Sequence, residues 1–170
     1  DVGLDYTAGV ALKGLMPTIK KRYLKTNSRQ LDVTQIARIN KGARKLYSGS
    51  VHSASTWGHH TSNLSEPRLV AIERRAANAS GICAAGRCRF LALCLAYGHR
   101  NHPVARIIKG LFTQWFQVLA LYATNNNSIA RLARAWDALV KAYKPKTSVN
   151  DFLANLISWL FKLGYEPTSL

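Results

Sequence analysis

The sequence predicts an all-α protein, six or seven helices in an irregular bundle with at most one short N-terminal strand. Three observations predict it. Apolar residues recur at spacings of three and four along most of the chain. Helix starts and stops punctuate it at Asp32, Ser65-Glu66-Pro67, Gly98, Asn127-Ser128, Asp151 and Gly164. Only Asp1–Thr7 alternates with period two, and the rest of the chain offers that strand hardly any partner.

Taken in order, Ala11–Thr26 reads as a helix, with Pro17 either opening it or breaking an earlier turn, carrying Lys20-Lys21-Arg22 and Lys25. Asn27-Ser28 reads as a break. Asp32 then caps a second helix, Val33–Ser48, in which Ile36, Ile39, Ala43 and Leu46 form an apolar stripe. Arg38, Lys41, Arg44 and Lys45 fall mainly off that stripe, with almost no Glu between them. The small residues of Ser48–Thr56 predict a tightly packed helix ending at Gly58. Ser65 caps the next helix, whose buried side is Leu69, Ile72, Ala76 and Ala79.

Arg89–Tyr97 is apolar all round, which predicts burial on every side. Val104–Ala123 follows as a long helix with Trp115, Phe116, Leu119 and Tyr122. Asn127 or Ser128 opens Ile129–Tyr143, with a stripe of Ile129, Leu132, Trp136, Leu139 and Tyr143. Ser148-Val149-Asn150-Asp151 resembles a capping box ahead of a last helix lined by Phe152, Leu156, Trp159 and Leu163. The continuous apolar sequence within Ser65–Ala123 places the core there. The chain divides into a basic segment, 1–62, and an apolar-core segment, 63–170, packed as one unit.

The charge balance narrows the partner. Lys and Arg number 24, Asp and Glu 8, for a net charge of +16. The excess falls from +7 in residues 1–50 to +6 in 51–110 and +3 in 111–170. Self-repulsion on that scale calls for a polyanion, and nucleic acid comes first, ahead of an anionic membrane surface. The longest apolar run, Leu111–Ala123, is short for a membrane span and holds Gln114 and Gln117. Three Cys fit a reducing, intracellular compartment better than a disulfide framework. The chain opens on Asp1 and its only Met is Met16, as expected of a fragment or of a processed product.

Catalytic constellations are sparse. The eight acids are dispersed, and two-metal phosphoryl transfer needs carboxylates clustered. Cys83, Cys88, His99 and His102 are the one metal-like set, with Cys94 a small core residue instead of a ligand. Their spacing is looser than that of common zinc sites, so neither a metal nor another cofactor is assigned. A small zinc-binding module stays open as an alternative reading. The four Trp fall on or near core-facing positions and read as packing anchors.

The string Asp-Val-Gly-Leu-Asp, the basic helices, Ser53-Ala54-Ser55-Thr56-Trp57-Gly58, Leu64-Ser65, and Gly86-Arg87-Cys88-Arg89 before a helix ending Tyr97-Gly98 form a pattern. It resembles the region C-terminal to the reverse transcriptase palm, the thumb and connection, of non-LTR (LINE-type) retrotransposon polyproteins. The resemblance implies that Val2-Gly3-Leu4 corresponds to the primer-grip strand and Lys20–Lys45 to basic thumb helices. It further implies backbone contacts to template–primer by Lys20, Lys21, Arg22, Lys25, Arg38, Lys41, Arg44 and Lys45, with Arg87 and Arg89 as a second patch. The Tyr/Phe-x-Asp-Asp palm motif is absent, so polymerase activity would belong to an upstream domain. His59-His60 departs from the residues common after that Trp-Gly. A structural, RNA-associated helical protein of a ribonucleoprotein assembly is the other reading of the same charge.

Overall fold

The computed structural model describes residues 17–60, 64–82, 85–144 and 151–168. They form seven helices and no strand: α1 (Pro17–Ile39), α2 (44–55), α3 (Glu66–Asn78), α4 (Arg89–Tyr97), α5 (Pro103–Tyr122), α6 (Asn126–Ala142) and α7 (Phe152–Lys162). Short 3-10 turns at Lys41–Ala43 and His99–Asn101 precede α2 and α5. The fold is all-α, as expected. The expected strand Asp1–Thr7 and the first residues of the expected Ala11 helix lie outside the described residues. No described helix is long and apolar enough to cross a membrane.

Two compact units emerge. The first holds 17–58 and 65–106, and the second 59–60, 64, 107–144 and 151–168. The first therefore takes in α3 and α4 together with the basic helices, and its edge falls within α5.

In the first unit the expected break at Asn27-Ser28 does not occur, and α1 runs through it. The helix also buries a different side. Ile36, Ile39 and Leu46 are 47%, 91% and 51% exposed, and only Ala43 of that stripe is buried. The buried positions are Thr26, Gln30, Val33 and Ala37, again at helical spacing. Two of these are polar, which is why an apolar pattern mistook the phase. Their donors are satisfied locally or by α3, whereas Gln30 Oε1 has no partner among the described residues. Thr26 donates to the Tyr23 carbonyl at 2.6 Å. Gln30 Nε2 donates to Thr34 Oγ1 at 2.8 Å and to the Arg75 carbonyl at 3.0 Å.

α2 changes its winding, from one α-turn at Arg44–Leu46 through a π-helical stretch, Tyr47–His52, to Ser53–Ser55. The wider turn places both Tyr47 and Val51 in the core with Val33, Ala76, Ala77, Ala79 and Leu93. Tyr47 donates from its hydroxyl to the Ile72 carbonyl at 3.0 Å, and Tyr97 to that of Ala76 at 3.0 Å. Burial drives both phenols far above their ordinary range, so they stay neutral donors.

α3 buries Leu69, Ile72 and Ala76, with Ala79 just beyond it, as the spacing predicts. Its turn closes against α1. Gly81 has φ +72°, and a Cβ there would lie 2.6 Å from the Ala37 carbonyl oxygen. α4 departs from expectation. It packs on α3 through Ala92, Leu93 and Ala96, but Phe90, Leu91 and Leu95 are 62%, 58% and 78% exposed. Its neighbours α1, α2 and α3 all meet it on the side of Leu93 and Tyr97, so the opposite side stays open whatever its composition.

In the second unit α5 contributes Ile107, Leu111 and Trp115, α6 Leu132 and Trp136, and α7 the unbroken run 155–159. Trp115 stacks on Trp136 with ring centroids 5.4 Å apart, and Tyr143 on Phe161 at 4.3 Å. Ile129 and Leu163, placed on the inward stripes by their spacing, are exposed, as are Phe116 and Tyr122 of α5. The cap of α6 is Asn125, ahead of Asn127 and Ser128, whose N–H groups it accepts at 3.0 and 3.3 Å. α7 is capped by Asp151; Ser148 lies outside the described residues. The Asp151 carboxylate accepts from Ala154 N at 3.2 Å. Gly164, at φ +83°, ends the helix in a Schellman turn, with Tyr165 N donating to the Leu160 carbonyl.

Candidate nucleic-acid interface

Because α1 is unbroken, its cations fall into a new order. Lys21, Lys25 and Arg29 stand at i, i+4 and i+8, one above another on one flank, with Arg22 beside them. Lys20 and Arg38 are in phase with each other on the other exposed flank. Thr18, Lys21, Arg22, Lys25, Thr26 and Arg29 wall a groove of about 370 Å3, with Ala54 of α2 at its side. Among the described residues no carboxylate lines it.

Arg22 places its guanidinium over the indole of Trp57, 4.2 Å from the ring centroid. Trp57 is 41% exposed, while Trp115, Trp136 and Trp159 are buried. Three of the four Trp are thus packing anchors, Trp159 with Lys162 over its ring as well, and Trp57 is the exposed one that supports a cation.

Other basic residues of this unit are committed to structure. Arg75 lies over the Tyr23 ring at 4.2 Å and donates to Asn27 Oδ1 at 2.6 Å. Arg68 approaches the same ring at 5.2 Å and donates to the Ser55 carbonyl at 3.1 Å. Desolvation lowers the Arg68 pKa from its ordinary value. Arg106 donates to Ser48 Oγ in the π-helical stretch. Of the second sequence-predicted patch, Arg89 lies 3.6 Å from Glu73, and Arg87 donates to Asn78 Oδ1 at 3.0 Å.

By contrast, no ion pair among the described residues engages Lys21, Arg22, Lys25 or Arg29. Lys41 and Lys45 are exposed around the α1–α2 turn, and Arg44 is half-buried near Tyr97. The structure therefore joins Lys21, Arg22 and Lys25, separates Lys20 and Arg38 from them, and adds Arg29 and Trp57. Arg29 was visible as Lys21-x3-Lys25-x3-Arg29, but the expected break at Asn27-Ser28 cut that run in two.

The metal-like set does not assemble among the described residues. Cys83 lies outside them, Cys88 and His99 are exposed, and His102 is buried beside Glu73 at 3.9 Å. Desolvation holds His102 below the usual histidine pKa, with Glu73 opposing. No group of three His, Cys, Asp or Glu there is placed to hold a metal ion.

In the second unit the His59 and His60 rings lie 3.8 Å apart beside Gly110, where a Cβ would come within 3.3 Å of His60. Asn155 Nδ2 donates to both their carbonyls, at 2.7 and 3.1 Å. That turn is a structural staple of the second unit. No family model matches the chain, nor does any curated protein or solved structure.

Proposed function

We propose that the chain binds nucleic acid through the phosphate backbone without catalysing a reaction. It would serve as the thumb-like helical segment that grips template–primer beside a reverse transcriptase palm in a non-LTR retroelement polyprotein. The observation that supports this reading is the α1 flank, where Lys21, Arg22, Lys25 and Arg29 line one groove without a carboxylate partner among the described residues. A solvated surface helix ordinarily intersperses Glu with its cations. Here the cations repel one another unless a polyanion covers them. Lys41 and Lys45 extend the basic surface beyond α1.

The test is the affinity for a labelled RNA–DNA hybrid and for duplex DNA across a salt series. The expected result is a steep log–log slope. Lys25→Ala lowers it by about one unit, as for one lost phosphate contact. Lys141→Ala, on exposed α6, leaves it unchanged. Binding that is absent, or flat with salt, overturns the reading.

A further inference from the structure

We infer that the α1 groove seats an unpaired strand, with a base stacked on the Arg22 guanidinium and successive phosphates against Lys21, Lys25 and Arg29. This rests on the nucleic-acid reading above and narrows it from any phosphate backbone to single-stranded nucleic acid.

Three features favour a single strand. The first is spacing. Four residues of α-helix advance about 6 Å, so the three stacked cations span about 12 Å along the axis. That step is close to the distance between neighbouring phosphates on one strand, so each cation meets its own phosphate. The second is the plane. A guanidinium offers a flat face on which a base can stack. Arg22 lines the groove and is held on the Trp57 ring at 4.2 Å, so that face is fixed before a base arrives. In a duplex the base faces are already stacked on each other, and only an unpaired nucleotide can present one. The third is room. A concavity of about 370 Å3 is of the size of one nucleotide, and Ala54 keeps its side open with a methyl group.

The Thr26 hydroxyl is already spent on the Tyr23 carbonyl, so it forms wall and not recognition. With no base-edge donor or acceptor assigned, the seat is sequence-tolerant, as stacking on a π face is.

Charge and plane can be separated, because Lys keeps the first and loses the second. The experiment measures anisotropy of a labelled oligothymidylate and of a labelled hairpin duplex with the full chain, across salt. Variants are Arg22→Lys, Trp57→Ala and Lys25→Ala, with circular dichroism confirming that each is folded. Arg22→Lys is expected to weaken single-strand binding about tenfold, the worth of one base stack. It should shift duplex binding less than about twofold and leave the salt slope intact. Trp57→Ala follows the same pattern because it frees the plane. Lys25→Ala weakens both ligands and lowers the slope by about one.

If the unaltered chain binds but Arg22→Lys changes single strand and duplex equally, or neither, the seat is refuted while the backbone reading stands. If the unaltered chain binds neither probe, the nucleic-acid reading falls first and this inference with it.

Discussion

The two units solve the same packing problem in opposite ways. Among the described residues the first carries 16 Lys and Arg against 3 Asp and Glu, the second 6 against 3. The first buries Thr26, Gln30, His52, Ser55, Thr56 and Ser80 among its apolar residues. It ties helices together by side chain to backbone bonds from Tyr47, Tyr97, Gln30 and Arg68. The second is closed by aromatic stacks, Trp115 on Trp136 and Tyr143 on Phe161. Polar burial lets the first unit present an extended cationic helix, because α1 needs only a narrow stripe to anchor it. The price is dependence on a few directional contacts, whereas the aromatic core of the second depends on volume.

The largest test of that difference is Trp136→Ala in the second unit. Trp136 is 4% exposed and stacked on Trp115. Its removal is expected to cost about 3–5 kcal/mol by transfer loss and cavity formation. Its indole nitrogen has no hydrogen-bond partner among the described residues, so Trp136→Phe is expected to cost far less, below about 1.5 kcal/mol. Urea denaturation followed by circular dichroism measures both. Equal losses would mean that the indole is held by something other than shape.

The matching test in the first unit is geometric. Gly81→Ala introduces a Cβ 2.6 Å from the Ala37 carbonyl oxygen, at φ +72°. Backbone faces it, so no side chain can move aside. The expected loss is about 1–3 kcal/mol, the range for a residue forced into left-handed backbone, with the steric contact pressing towards its upper end. Gly86→Ala, also at positive φ but with nothing within 4 Å, is the control for the conformational part alone. If the two variants lose the same stability, the close approach of the α3 turn to α1 is not a constraint in solution.

The all-α class, the helix over Leu69–Ala79, the long helix at Trp115 and the stop at Gly164 were legible because apolar period and turn chemistry agree there. α1 was not, for a definite reason. Its inward stripe alternates Thr26 and Gln30 with Val33 and Ala37, while Leu31, Ile36 and Ile39 face outward. A rule that equates apolar with buried then selects the wrong phase and, with Asn27-Ser28, the wrong boundary. The same error hid the candidate site. Lys21, Arg22 and Lys25 were recognisable as a charge cluster, but Arg29 joins them only on a continuous helix. Trp57 was unreadable as a support for Arg22, since that contact links α1 to the turn after α2. In the second unit sequence spacing placed Leu132, Trp136 and Leu156 correctly, because there the apolar stripe is the buried one, even though Asn155 and Ser158 are buried beside it.

Helix starts offer the finest contrast between the units. In the first, Ser65 and Cys88 precede α3 and α4 without a side-chain capping bond. In the second, Asn125 and Asp151 both accept N–H groups of the turn they open. A serine before Glu-Pro looks like a cap in sequence, yet only the Ser65 carbonyl is engaged, by Arg68 N and Leu69 N. Pro67 already removes one orphan donor, and Glu66 supplies a negative charge in the first turn. Ser65→Ala is therefore expected to change stability by no more than about 0.5 kcal/mol, as for an ordinary surface substitution. Asp151→Ala removes a real bond at 3.2 Å and a charge complementary to the helix dipole, and should cost about 1 kcal/mol. Asp151→Asn keeps the acceptor and should recover most of it. A Ser65→Ala loss as large as that of Asp151→Ala would mean that the hydroxyl does cap α3 in solution, and the contrast in how the two units open their helices would vanish.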